Sequence, residues 1–379
     1  MTSPRIAMVA GEASGDLLAG HVLEAMRARW PQLAAQGIGG AQMQQRGFEP
    51  WWPAEKLSVS GYAEVLKHLR EILGIRNALR DRLLADRPDL FIGVDAPDFN
   101  LKLEEQLRAS GVKTVHFVCP SIWAWRMKRV EQIKRACDHV LCVFPFEPEL
   151  LAKHGVPATY IGHPLASVIP MEPDREAARR ALGLPLNGKV IALLPGSRAS
   201  EIEALAKRFL KAAALLEKRH PDSWFVIPAV PALQARISEI ARARKGPRHL
   251  TIVTGQSHAA LAACDVALVA SGTATLEAAL FKRPMVIAYR TSWLTYALMR
   301  PRQLQRWVGL PNILCRDFVV PELLQANARP HKLCGALADW LGRPDRIHFV
   351  QERFRELHVQ LLRDTATLAT DAIEKVLAA

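Results

Sequence analysis

Short apolar runs that end in Gly, Ser, Pro or Asp, each followed by a stretch with helical spacing, recur along most of this chain. Ile6–Ala10 precedes Leu17–Trp30, Leu90–Val94 precedes Leu101–Ala109, and Val112–Val118 precedes Arg126–Ala136. A strand apolar at every position is buried on both faces, and the helix after it supplies the crossover that a parallel neighbour requires. The pattern pauses at Gly162-His163-Pro164 and stays broken through Pro170 and Pro173. It resumes with Lys189–Leu194, Trp224–Ile227, Leu250–Val253, Val266–Ala270 and Met285–Tyr289. The pause reads as a linker, so the expected architecture is two doubly wound α/β domains facing across a cleft, which suits a chain of 379 residues. From about Asp345 to Ala379 the spacing is helical, carried by Phe349, Phe354, Leu357, Leu361 and Leu362, with no strand signal.

Charge narrows the partners. Fifty Lys and Arg against 37 Asp and Glu give a formal net charge of +13, which favours phosphorylated metabolites, nucleic acid or acidic lipid. Half the residues are apolar and 23% charged, which excludes a disordered chain. Cys119, Cys137, Cys142, Cys264, Cys315 and Cys334 form no CxxC pair or zinc-like cluster and read as reduced, mostly buried thiols of a cytosolic protein. The N-terminus enters its first strand with no signal-peptide pattern, and no apolar run reaches the roughly 18 residues of a spanning helix. Membrane association is therefore expected to be peripheral.

In open α/β sheets ligands sit at the carboxyl ends of strands, so the loops after the apolar runs carry the chemistry. Gly11-Glu12-Ala13-Ser14-Gly15-Asp16 has two glycines that let backbone amides approach an anion, with Ser14 and Asp16 as helix caps. It is neither a Walker loop nor a GxGxxG fingerprint, and an ordinary capped turn is the competing reading. Against that reading, burying Glu12 beside Asp16 would be costly for a mere turn. In Asp95-Ala96-Pro97-Asp98-Phe99-Asn100, Asp98 and Asn100 suit a helix start. Asp95, at a strand tip among apolar neighbours, suits either a general base or a structural carboxylate bonded to loop amides. His116, within an apolar strand, reads as a core histidine.

Cys119–Arg129 combines Trp123 and Trp125 with Arg126, Lys128 and Arg129, a mixture suited to a phosphorylated sugar or acyl chain, or to one core tryptophan beside a solvated cationic face. Pro195-Gly196-Ser197-Arg198 and Ser271-Gly272-Thr273 each join a strand to a helix start and can present free N–H groups to a pyrophosphate. Arg198 adds charge, and Glu277, one turn in, can accept ribose hydroxyls. Val65–Leu84, with Leu66, Lys67, Leu69 and Arg70, and Trp293–Trp307, with Arg300, Arg302 and Arg306, are basic amphipathic stretches. Each reads as a surface for anionic lipid or as a crossover helix.

Together these loops resemble the bacterial lipid-A-disaccharide synthases. The resemblance spans nearly the whole chain: Gly11–Asp16, Asp95–Asn100, Pro120–Arg126 with Lys128-Arg129, Phe144–Glu147, Gly162-His163-Pro164, Leu194–Arg198 with Glu201, Ser271–Glu277, Leu310-Pro311-Asn312 and Val320–Gln325 stand in the family's order. Cys119, Met127 and Ser167 depart from the residues commonest in the family. The resemblance implies a GT-B glycosyltransferase of Gram-negative lipopolysaccharide synthesis with two Rossmann-like domains. Residues 1–168 would face acceptor and membrane, with 345–379 returning to them, and 169–344 would bind the UDP-sugar.

The implied reaction is an inverting transfer from UDP-2,3-diacylglucosamine to 2,3-diacylglucosamine 1-phosphate, giving the lipid A disaccharide 1-phosphate and UDP. It implies Asp95 as the base, and Glu12, Ser14, Asp16, Asn100, Arg198, Ser271, Gly272, Thr273, Glu277, Asn312, Glu322 and Gln325 as substrate-binding residues. No metal or cofactor is expected. The expected location is the cytoplasmic face of the inner membrane, on an anionic lipid surface, with a homodimer as a compatible assembly. A UDP-sugar epimerase of the same architecture is the alternative enzyme. A nucleic-acid-binding protein is the non-enzymatic one, and no recognised motif supports it.

Overall fold

The computed structural model describes residues 3–57, 62–243 and 246–379; within these, the side chains of residues 62–68 and of Ala13, Glu55, Leu294, Thr295, Leu298 and Arg302 are not described. Leu66, Lys67 and Arg302 of the two basic stretches therefore lie outside the described side chains. The chain forms two compact units, Met1–Pro164 with Leu361–Ala379, and Leu165–Gln360.

The first unit carries seven strands, β1 (Arg5–Ala10), β2 (Ala34–Gly39), β3 (Glu49–Pro53), β4 (Leu90–Val94), β5 (Lys113–Phe117), β6 (His139–Cys142) and β7 (Ala158–Tyr160). All pairings are parallel, in the order β3-β2-β1-β4-β5-β6-β7. Winding runs outward from β1 to β3 and then reverses to β4, so the switch point lies between β1 and β4. The reversal is made by the helix Tyr62–Asp86, whose Leu79 and Leu83 are buried with Val9, Ile38 and Phe91. From Ile72 to Leu84 the first basic stretch thus packs on the sheet as part of a crossover helix. One of its cations, Arg82, lies 3.8 Å from the ring centre of Trp51.

The second unit repeats this plan with β8 (Lys189–Leu194), β9 (Ser223–Ala229), β10 (Leu250–Thr254), β11 (Val266–Ala270), β12 (Met285–Tyr289) and β13 (Glu322–Leu324). They pair in parallel as β10-β9-β8-β11-β12-β13, with the switch point between β8 and β11. Every residue of β4 and β11 is buried, as continuous apolar runs covered on both faces require.

The C-terminal segment divides differently from the expectation. The helix Pro344–Leu361 buries Val350, Phe354, Leu357 and Leu361 but leaves Phe349 exposed, as is Leu362 just beyond it, and up to Gln360 it belongs to the second unit. The return begins at Leu361 rather than at 345, and the first unit ends at Pro164 rather than at 168. Asp364 then caps the helix Thr365–Ala378 by accepting from Thr367 N–H. That helix is fastened to the first unit by Arg29, which binds Asp371 (2.7 Å) and Glu374 (2.5 Å), and by Lys113 Nζ donating to the Leu377 carbonyl. Gly162 has φ +85°, and a Cβ there would lie 2.5 Å from Cβ of Arg363, so glycine is needed where the returning chain passes.

Candidate active site

In the first unit Ala10 pairs with Val94, which sets the loops after β1 and β4 side by side at the switch point. Gly11 is closely approached by Leu57, 2.9 Å from where a Cβ would stand. The helix Ala13–Arg29 then begins with Glu12 in extended conformation at its N-cap. Glu12 is exposed, not buried as the sequence suggested, and Ser14 is exposed with it. Asp16 is the buried member of the loop. Its carboxylate accepts from the N–H groups of Gly40 (2.8 Å), Gln42 (2.9 Å) and Met43 (3.2 Å), so it caps the short helix Ala41–Gln44 from a distance. A side chain holding three amides supports the loop and is poorly placed to take a ligand.

At the tip of β4, Asp95 and Ala96 are both left-handed, with φ of +50° and +42°, a conformation that costs a non-glycine residue about 1–2 kcal/mol. Three hydrogen bonds hold the strained pair. Asp95 N–H donates to the Phe117 carbonyl (2.8 Å), and Asn100 Nδ2 donates to the carbonyls of Asp95 (2.9 Å) and Val94 (3.3 Å). Asn100 is fully buried, with its Nδ2 committed to the turn and its Oδ1 without a hydrogen-bond partner among the described residues. Among the described residues, the half-buried Asp95 carboxylate accepts no hydrogen bond, so the loop-amide bonding of the structural-carboxylate reading is not seen there. Behind the turn, Gly93 leaves room for Glu104, whose carboxylate meets Nδ1 of His116 at 2.8 Å with both side chains fully buried. His116 is a core histidine.

The loops after β5 and β6 meet over another buried carboxylate, at the end of the Phe144–Glu147 segment. Glu147 accepts from Trp123 Nε1 (3.0 Å) and from Phe144 N–H (3.0 Å), and burial pushes its pKa up to about 8 despite both donors. Trp123 stands edge-on to Phe144 and Phe146, and His163 lies against Phe144 with its pKa lowered to about 4 by burial. Trp123 is therefore the core tryptophan of the pair, whereas Trp125 is half-buried beneath the guanidinium of Arg126. Among the described residues, two groups bring ligating atoms within 4.8 Å of one another, Glu104 with His116 and Cys137, and Cys119 with Cys142 and Glu147. Burial raises the pKa of Cys137 and Cys142 well above that of a free thiol.

In the second unit Leu194 pairs with Val269, so the loops after β8 and β11 adjoin. Gly196, at φ +125°, sits where any Cβ would collide with Glu201. Glu201 accepts from Ser197 N–H (2.9 Å) and Arg198 N–H (3.3 Å) in a capping box at the start of the helix Ala199–Arg219. The Arg198 side chain is 67% exposed and 3.8 Å from Glu201, a loose pairing that leaves its fork available. Gly272, at φ +150° with open space around it, caps the helix Thr273–Leu280, and Thr273 is exposed beside it. Glu277 lies within that helix, its carboxyl raised above the usual range by burial and moderated by His258 at 3.8 Å.

Four of the expected ligand residues make hydrogen bonds within this region. Asn312 is fully buried; its Nδ2 donates to the Val320 carbonyl (2.9 Å) and Glu322 Oε1 (2.8 Å), and its Oδ1 accepts from Val320 N–H (3.0 Å). Glu322 also accepts from the N–H groups of Val308 (3.0 Å) and Gly309 (2.9 Å). Gln325, left-handed at φ +50°, accepts a long hydrogen bond from Thr291 N–H. Ser271 joins the same scaffold through its hydroxyl, which donates to the Val308 carbonyl at 3.4 Å.

Comparison with known proteins places this geometry. The family model described as lipid-A-disaccharide synthetase matches residues 6–375. The lipid-A-disaccharide synthase of Albidiferax ferrireducens is 61% identical over 378 residues, covering 98% of this chain and 97% of the relative. That of Verminephrobacter eiseniae is 60% identical, covering 99% and 97%. Among solved structures, the kitacinnamycin glycosyltransferase superposes with a TM-score of 0.65 at 18% identity, covering 99% of both chains. A UDP-GlcNAc 2-epimerase from Neisseria meningitidis superposes at 0.58 and 13% identity, covering all of both. The fold is thus GT-B, common to transferases and epimerases, and sequence identity decides between them. The chain is a glycosyltransferase and belongs to the lipid-A-disaccharide synthetase family.

Proposed function

We propose that this enzyme transfers 2,3-diacylglucosamine from UDP-2,3-diacylglucosamine to the 6-hydroxyl of 2,3-diacylglucosamine 1-phosphate with inversion. The observation that carries the mechanism is the Asp95 carboxylate, free of hydrogen bonds among the described residues at the tip of β4, on a turn held by Asn100. Asp95 takes the proton from the acceptor O6 as that oxygen bonds to the anomeric carbon. The bond from that carbon to the diphosphate breaks on the opposite face, and its electron pair leaves with UDP. Arg198 and the amides at Gly196 and Gly272 receive the diphosphate charge, and Glu277 the ribose hydroxyls. Glu12 and Ser14, exposed at the neighbouring loop, are the side chains there that remain open to a ligand. Asp16, Asn100, Asn312 and Glu322 act by holding these loops in shape.

The acylated substrates require access to lipid. No helix among the described residues is long and apolar enough to cross a membrane. The second basic stretch supplies the docking surface: Trp293 is 80% exposed, with Arg300 and Arg306 following it. Binding to anionic vesicles that weakens with salt checks this, and equal partitioning onto neutral vesicles would refute it.

The reaction is tested by incubating the protein with UDP-2,3-diacylglucosamine, with and without the acceptor, and following disaccharide and UDP by mass spectrometry. Acceptor-dependent disaccharide is expected. Conversion of UDP-N-acetylglucosamine alone, with no disaccharide, would replace this reading with the epimerase.

A further inference from the structure

The loop after β5 turns two guanidinium groups toward one carboxylate of the loop after β4. Arg129 Nη2 binds Asp98 Oδ1, and Arg126 Nη1 lies 3.7 Å from the same oxygen. Arg126 is held by stacking, its guanidinium carbon 3.9 Å from the ring centre of Trp125, and Lys128 is exposed between the two arginines. Among the described residues, neither arginine has another carboxylate partner. Asp98 is itself 79% exposed, so a pair of this kind contributes at most about 1 kcal/mol and exchanges readily with solvent or a better anion.

The balance of charge points to that better anion. Two forked guanidinium groups face a single negative charge, with Lys128 exposed between them in sequence, while a phosphomonoester carries nearly two charges and accepts several hydrogen bonds at once. The position points the same way. Asp98 follows Asp95 by three residues, which cannot separate their Cα atoms by more than about 11 Å, the scale of one hexose phosphate. We infer that Arg126 and Arg129, with Lys128, form the subsite for the phosphomonoester of the sugar acceptor. Asp98 serves as the resident counter-ion that this phosphate displaces. The assignment rests on the transferase reading above and adds to it a determinant of acceptor choice.

The test measures binding, so that it reads the subsite independently of turnover. Short-chain 2,3-diacylglucosamine 1-phosphate and its phosphate-free methyl glycoside are titrated into the full-length protein and its Arg126→Ala, Arg129→Ala and Asp98→Asn variants, with melting temperatures recorded for each. Each arginine substitution is expected to weaken the phosphorylated acceptor on the order of 30-fold. The phosphate-free acceptor and UDP should move less than about twofold by the same contrast of a paired with an unpaired charge. Asp98→Asn, which keeps both arginines, should bind the phosphorylated acceptor at least as tightly as the parent protein. Equal losses on both acceptors, or weaker phosphate binding in Asp98→Asn, would make the cluster a staple between loops and overturn the proposal. Co-sedimentation with phosphatidylglycerol vesicles distinguishes the other source of phosphate: loss of vesicle binding with acceptor discrimination intact would assign the cluster to lipid headgroups instead. A wild-type protein that binds the phosphorylated acceptor selectively yet forms no disaccharide would count against the transferase reading and leave the subsite standing.

Discussion

The two switch points of this molecule share a topology and differ in chemistry. At β1/β4, the strand tip ends in Asp95, a carboxylate raised on a left-handed turn. At β8/β11, the corresponding tip ends in Ser271-Gly272, a turn with no acid and with open space at the glycine. On the proposed reaction, one tip would accept a proton and the other would donate hydrogen bonds to an anion. The fold supplies the location, and a few residue types decide what happens there. The cost also differs: the first tip stores strain that Asn100 must hold, whereas the second uses glycines whose positive φ carries no such penalty.

The comparison breaks most visibly at Asp95. Asp95→Asn keeps the turn and removes the base, and turnover should fall on the order of 1000-fold in a disaccharide assay. Near-wild-type turnover would mean the first switch point does not perform the proton transfer. At the second, Arg198→Ala should raise the donor KM about tenfold, with a smaller change at saturating donor. An unchanged donor KM would remove Arg198 from the diphosphate site. Asn100→Ala tests the strain argument, since losing its two hydrogen bonds should destabilise the fold by about 1–3 kcal/mol and lower turnover without altering donor affinity. Thermal melts and steady-state kinetics on one preparation would show whether the two effects travel together.

Glu147 gives a smaller effect with a defined sign. Its folded-state pKa of about 8 lies above the ordinary carboxyl range, so between about pH 4.5 and 8 the folded state holds a proton that the unfolded chain has lost. Stability from this group is present at low pH and declines as pH rises through that window. Glu147→Gln should flatten the decline in melting temperature between pH 5 and 8, and an identical pH profile in both proteins would contradict the assignment.

Much of this is legible in the sequence because it depends on local order. An apolar run followed by Gly, Asp or Ser and then a helix start marks a strand tip, and that pattern suffices to put Asp95, Gly196 and Gly272 at such tips. Residues acting through distant backbone are not legible in the same way. Asp16 caps a helix that begins at Ala41, and Glu322 holds amides at Val308 and Gly309, so nothing beside either residue announces its partner. Asp16 reads as a ligand residue because a carboxylate near a glycine loop suits an anion-handling site and a loop brace equally well, whereas Glu322 is expected to bind substrate only from the family resemblance. The Glu147 cluster has one local signal, an acid directly after Phe144-Pro145-Phe146, but its burial depends on Trp123 from the preceding loop. The return of the chain at Leu361 turns on which of several apolar side chains in one helix are covered, and helical spacing does not order them.

The central claim is a division of labour: the first unit activates the acceptor and the second holds the nucleotide. Calorimetric titration of UDP into the wild-type, Asp95→Asn and Arg198→Ala proteins tests it most directly. The account predicts that Asp95→Asn binds UDP as the wild type does while Arg198→Ala binds it about tenfold more weakly. A loss of UDP affinity in Asp95→Asn equal to that in Arg198→Ala would contradict it.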